Sequence, residues 1–68
     1  MTIWLNGEAR QLPTGTALSE AVEATGANPE RHGIAVAVDG EVVPRAQWDE
    51  TTISDGQRIE VVQAVQGG

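Results

Sequence analysis

The 68-residue sequence contains no cysteine, lysine, phenylalanine or tyrosine. Without cysteine, neither disulfides nor thiolate metal ligands can hold the chain together. Trp4 and Trp48 are the only aromatics, so the core has to come mainly from aliphatic side chains. A chain this short buries only about 60% of its unfolded surface and is marginally stable. His32 is the only histidine, and there is no cysteine nucleophile and no lysine for a Schiff base. A self-contained enzyme of the acid–base or nucleophilic kind is therefore not expected. Nor is an enclosed ligand pocket, which needs roughly 300 Å³ or more of concave volume.

Positive charge is scarce as well. Four arginines stand against ten acids, for a net charge of −6. Nucleic-acid binding needs clustered positive charge and is disfavoured; solubility and partners with basic docking surfaces are favoured. No apolar run approaches the roughly 20 residues of a membrane span, and no signal-peptide pattern opens the sequence. A cytoplasmic protein without a metal site is the expectation.

Residues 1–6 alternate with period two, Met1, Ile3 and Leu5 on one face and Thr2, Trp4 and Asn6 on the other. That pattern predicts a half-buried strand. Asn6-Gly7 tolerates positive φ at both positions and predicts a hairpin. A second strand follows over 8–12. Its facing is ambiguous because Arg10 shares parity with Leu12, and a bulge is one way to shift it. Thr16 is placed to cap a helix beginning at Ala17. Leu18, Ala21, Val22 and Thr25 then form one helical stripe, and Gly26 suits the position just past its end. Glu20 and Glu23 fall outside that stripe and read as a solvated helix face.

Residues 28–33 form a polar turn carrying His32, to which no function is assigned. Ile34 to Val38 is apolar throughout, as expected of a strand covered on both faces or lying central in a sheet. Asp39-Gly40 predicts a second hairpin, followed by a short strand at 41–43 that Pro44 stops. Residues 45–54 are an irregular crossing anchored by Trp48 and Ile53, and Ser54-Asp55-Gly56 turns into a last strand over 57–63. Trp48 is read as structural. For Arg45 two pairings are open, with a carboxylate at the domain surface or with one in a partner.

One helix with one apolar stripe and four or five strands pack most economically as a two-layer α+β domain. Its first and last strands are parallel central neighbours. The domain covers 1–63 and a flexible tail covers 64–68. The tail, Ala64-Val65-Gln66-Gly67-Gly68, has two readings. One is a loose end. The other is a thin thread, without a Cβ at 67 or 68, that carries the Gly68 α-carboxylate into a narrow channel of a partner. On parity, Trp4, Val62 and Ala64 are candidates for an apolar patch on the exposed sheet face. Tryptophan often anchors interfaces, while a partly exposed strand residue is the alternative for Trp4.

The element order with a Gly-Gly end resembles the ubiquitin-like β-grasp fold. Val43-Pro44-Arg45-Ala46-Gln47-Trp48, then Asp55-Gly56, then an aliphatic strand running to Gly67-Gly68, resembles the ThiS family of sulfur carriers of thiamine biosynthesis. Ile3-Trp4-Leu5-Asn6-Gly7-Glu8 is similar too, so the resemblance covers essentially the whole chain. Gln57 departs from it, where an acid is common.

The resemblance implies a protein co-substrate that binds no cofactor itself. An E1-like adenylating partner of the ThiF type would use ATP and Mg²⁺ to activate the Gly68 carboxylate. A sulfur donor such as a cysteine desulfurase would convert it to a thiocarboxylate, and thiazole synthase of the ThiG type would take the sulfur. Gly67, Gln66, Val65, Ala64, Val62 and Trp4 would contact partners, and the carrier alone would be monomeric. Three other readings stay open: a small subunit of molybdopterin synthase, an isopeptide-forming protein modifier, and a β-grasp binding module with no terminal chemistry.

Overall fold

Alternating residues at the start of the chain place Ile3 and Leu5 on one side of a strand, Thr2–Leu5 (β1), and both are buried. The computed structural model describes residues 1–28 and 33–63. The Asn6-Gly7 turn, with φ of 50° and 82°, folds the chain back into Glu8–Gln11 (β2). The two strands pair without interruption from Thr2↔Gln11 to Leu5↔Glu8, so the anticipated bulge is absent. Arg10 lies opposite Ile3 yet stays exposed. β2 is the outermost strand, where a charged side chain still reaches water.

The only described α-helix is Leu18–Ala24 (α1), which buries Leu18, Ala21 and Val22. At seven residues it is too short to persist alone, and this stripe holds it on the sheet. Its start departs from expectation. Ala17, not Thr16, occupies the capping position and supplies no side-chain bond. The chain crossing beneath satisfies the helix instead: the Leu18 N–H donates to Thr51 O at 2.8 Å and the Ser19 N–H to Trp48 O at 3.3 Å. The Glu20 carboxylate accepts from the Ala17 N–H at 3.1 Å. Thr16 is buried, and its hydroxyl donates to Pro13 O at 2.6 Å, closing the preceding turn.

Ile34–Val38 (β3) and Glu41–Val42 (β4) form the second hairpin. A short 3₁₀ turn, Arg45–Gln47, leads into the crossing, and Arg58–Gln63 (β5) closes the sheet. The strand order is β2-β1-β5-β3-β4, with β1 and β5 parallel and the other pairs antiparallel. This is the ubiquitin-like β-grasp arrangement, with α1 and the crossing on one face. β3 is central but covered on one side only: Val36 is buried while Ala35 is exposed. Alanine fits either environment, so the apolar run concealed an open face.

Trp48 and Ile53 close the core as anchors of the crossing, each 3% exposed. The Trp48 indole N–H donates to Val43 O at 2.8 Å, and the Arg45 guanidinium lies 4.7 Å from the ring centroid. Arg45 therefore stacks on its own domain's tryptophan. No described helix is long and apolar enough to cross a membrane.

Candidate functional site

β5 is the base from which residues 64–68 continue, and its six residues are gripped on both flanks. On the β3 side five consecutive pairs run from Val38↔Ile59 to Ile34↔Gln63. On the β1 side, Trp4↔Arg58 and Leu5↔Ile59 pair in parallel. Ile59 is fully buried beneath the helix and Val61 is half-buried on the same side. Burying an isoleucine is worth about 1.5–3 kcal/mol, which fixes the strand in depth as well as in register.

Turn residues reinforce that grip. Asp39 Oδ1 accepts the Arg58 N–H at 3.0 Å, and Asn6 Oδ1 accepts the Val61 N–H at 2.8 Å. Asp55 Oδ1 accepts the Thr2 N–H at 2.7 Å at the start of β1. Asn and Asp suit this work because their short side chains end in an acceptor and they tolerate turn backbones. Gln57 is tied in as well, its Oε1 accepting the Ser54 N–H at 2.7 Å.

The face of the sheet away from α1 is open. Of the residues assigned to partner contact, Trp4 is 45% and Val62 is 62% exposed there. They do not adjoin. Trp4 stands opposite Ala9 and Arg58, and Glu60 lies between it and Val62 along β5. Trp4 instead borders an open depression of about 290 Å³ with Gly7, Arg58, Ile59 and Glu60. Val62 is opposite Ala35, and the next outward row pairs Glu60 with Ala37 and Ala37 with Val42. Val42 is 73% exposed.

The apolar strip that starts near the end of β5 is thus Val62, Ala35, Ala37 and Val42. The last three were not singled out from sequence. Alternation within Ile34–Val38 and the Asp39-Gly40 turn carry the signal that would have placed them. Outward positions of β5 carry Arg58 and Glu60, one charge of each sign, so this face is close to neutral while the whole chain is acidic.

Ala64, Val65, Gln66, Gly67 and Gly68, like His32, lie outside the described residues. Among the described residues no group of three or more His, Asp or Glu side chains is arranged to hold a metal ion.

Comparison with known proteins bears on the tail. The model of the ThiS family matches residues 3–68. The sulfur carrier protein ThiS of Escherichia coli is 32% identical over 68 residues, covering all of both chains. That of Thermus thermophilus is 38% identical over 66 residues, covering 97% of this chain and 98% of the relative. In three dimensions the chain is similar to the crystal structure of the thiamine biosynthesis protein ThiS of Geobacter metallireducens. The TM-score is 0.79 at 26% identity, with both chains fully covered. An NMR solution structure of a thiamine biosynthesis protein from the same organism gives 0.78 at 28% identity, covering this chain fully and 88% of the other.

Proposed function

The chain belongs to the ThiS family and is a sulfur carrier of thiamine biosynthesis, and we propose that the sulfur travels on the α-carboxylate of Gly68. A carrier implies enzymes that load and unload it. An E1-like adenylating enzyme of the ThiF type loads it, using ATP and Mg²⁺ held in its own site. A Gly68 carboxylate oxygen attacks the α-phosphorus, pyrophosphate leaves, and an acyl adenylate forms. The persulfide of a donor such as a cysteine desulfurase attacks the carbonyl carbon and AMP departs. Thiol reduction of the resulting S–S bond frees the thiocarboxylate, a soft anionic nucleophile that thiazole synthase of the ThiG type consumes. The carrier acts in the cytoplasm as a monomeric co-substrate, binds no cofactor of its own, and leaves the catalysis to its partners.

The observation that carries this reading is β5. It is a central strand held on both flanks, ending at Gln63, and the family match runs on through residue 68. Five extended residues span about 17 Å. That length lets residues 1–63 dock on a partner's surface while residues 64–68 reach into its site.

Intact mass spectrometry tests the proposal directly. After incubation with ATP, Mg²⁺, the adenylating enzyme and a sulfur donor, a mass gain of one sulfur-for-oxygen exchange is expected at Gly68. An unchanged mass in the presence of a competent partner contradicts it, and high-mass conjugates would point to protein modification.

The strip of Val62, Ala35, Ala37 and Val42 is assigned to docking the adenylating enzyme. Val62→Asp is expected to raise the KM for the carrier about tenfold, the scale of a single interface hot spot. Because Val62 is 62% exposed, stability should fall by no more than about 1 kcal/mol, the cost of aspartate in a strand. An unaltered KM would remove the strip from the interface.

A further inference from the structure

β1 ends at Leu5, while β5 continues to Gln63. Past Ile59, therefore, the β1 flank of β5 has no strand residue to pair with. Asn6 fills this gap twice. Its backbone N–H donates to Ile59 O at 2.9 Å, and its side-chain Oδ1 accepts the Val61 N–H at 2.8 Å. The second bond joins residues 55 apart in sequence. It is made two residues before the end of β5, and beyond it β5 is paired only with β3, at Ala35↔Val62 and Ile34↔Gln63.

From this arrangement we infer that Asn6 is a positioning residue for sulfur loading, acting through the Val61 backbone to fix the direction in which the chain leaves the sheet. The inference rests on Gly68 being the loaded group. Two demands meet at position 6. The hairpin holds its φ at 50°, which glycine, asparagine and aspartate tolerate. The latch needs a short side chain with an oxygen acceptor, which glycine lacks. Glycine therefore separates turn from latch, and aspartate retains both.

Without the latch, the end of β5 hangs from β3 alone and samples more directions. Only a fraction of molecules then presents the tail productively, and apparent affinity falls by that fraction. Losing one hydrogen bond of this kind corresponds to roughly a threefold to tenfold effect. Chemistry at Gly68, once seated, is untouched.

The test compares Asn6→Gly, Asn6→Asp and Asp55→Ala with the parent chain. Asp55 supplies the equivalent side-chain bond at the far end of β1, to the Thr2 N–H, so it reports what loss of a merely structural bond does. Amide exchange at Val61, the urea midpoint, and KM and kcat for AMP release with the cognate adenylating enzyme, ATP, Mg²⁺ and sulfur donor are measured for each. Asn6→Gly should speed exchange at Val61 and raise KM threefold to tenfold with kcat unchanged, and Asn6→Asp should restore both to within about twofold. Asp55→Ala should lower the midpoint and leave KM alone. Unchanged Val61 exchange in Asn6→Gly overturns the latch. Faster exchange with an unaltered KM, or an equal rise in KM for Asp55→Ala, overturns the positioning role. If the parent chain gains no sulfur at Gly68, the carrier chemistry assigned to that residue fails first and the positioning role falls with it, whatever the exchange rates.

Discussion

Trp48→Ala is expected to leave the domain largely unfolded at room temperature. Trp48 is 3% exposed and joins Ile3, Leu5, Leu18, Val22, Val36, Ile53 and Ile59 in the core. Truncating a buried tryptophan to alanine costs about 3–5 kcal/mol. A domain of this size has a total stability of only about 3–10 kcal/mol at typical per-residue values. The indole also satisfies Val43 O at 2.8 Å and carries Arg45 over its face at 4.7 Å. The backbone carbonyl of Trp48 receives the first-turn N–H of Ser19, so a collapse of the crossing would reach the start of the helix. Far-UV circular dichroism through a urea titration measures the outcome. Two milder variants divide the effect: Trp48→Phe, which keeps an aromatic ring but no N–H donor, should cost about 1–3 kcal/mol, and Arg45→Ala about 0.5–1 kcal/mol. A Trp48→Ala chain with the parent's urea midpoint would refute the anchoring role.

The second large effect separates chemistry from folding. Deleting Gly68 is expected to abolish sulfur loading while leaving the urea midpoint unchanged. The described core and every described strand lie within residues 1–63, and the urea midpoint is expected to follow them. Shortening the reach moves the terminal carboxylate by about 3.5 Å, and misplacement of a reacting group by even 1 Å can cost about a hundredfold in rate. Gly67→Val should act through width and lost conformational freedom instead, again with an intact fold. Thiocarboxylate formation read by intact mass provides the measurement. A truncated chain that acquires sulfur at the parent's rate would place the loaded group elsewhere.

What was legible from sequence was local. Period-two alternation found β1, the two Asx-Gly turns found both hairpins, and apolar residues stranded in a polar crossing found Trp48 and Ile53. The parallel pairing of β1 with β5 was expected along with the two-layer packing, and the register bears it out. Contacts between distant segments were not legible. Thr16 looked like the helix cap because its type suits the position, but carbonyls of Trp48 and Thr51 complete that terminus. No local pattern announces such acceptors. The strip of Ala35, Ala37, Val42 and Val62 exists only once register is known. Asn6 was read as a turn residue, and its bond to Val61 depends on where β5 lies. The Gly67-Gly68 end stood out as a motif, while composition alone left its meaning divided. The family match runs through both residues, and the role of Gly68 rests on the proposal above.

The adjacency of β1 and β5 has a mechanical consequence. These strands run parallel at the centre of the sheet, so tension applied between the first residues and the tail drives them past each other lengthwise. Their rungs, from Gly56–Thr2 through Trp4–Gln57 to Asn6–Ile59, then share the load at once instead of opening one by one like a zipper. An enzyme hauling on the captured end would meet its stiffest resistance along that axis.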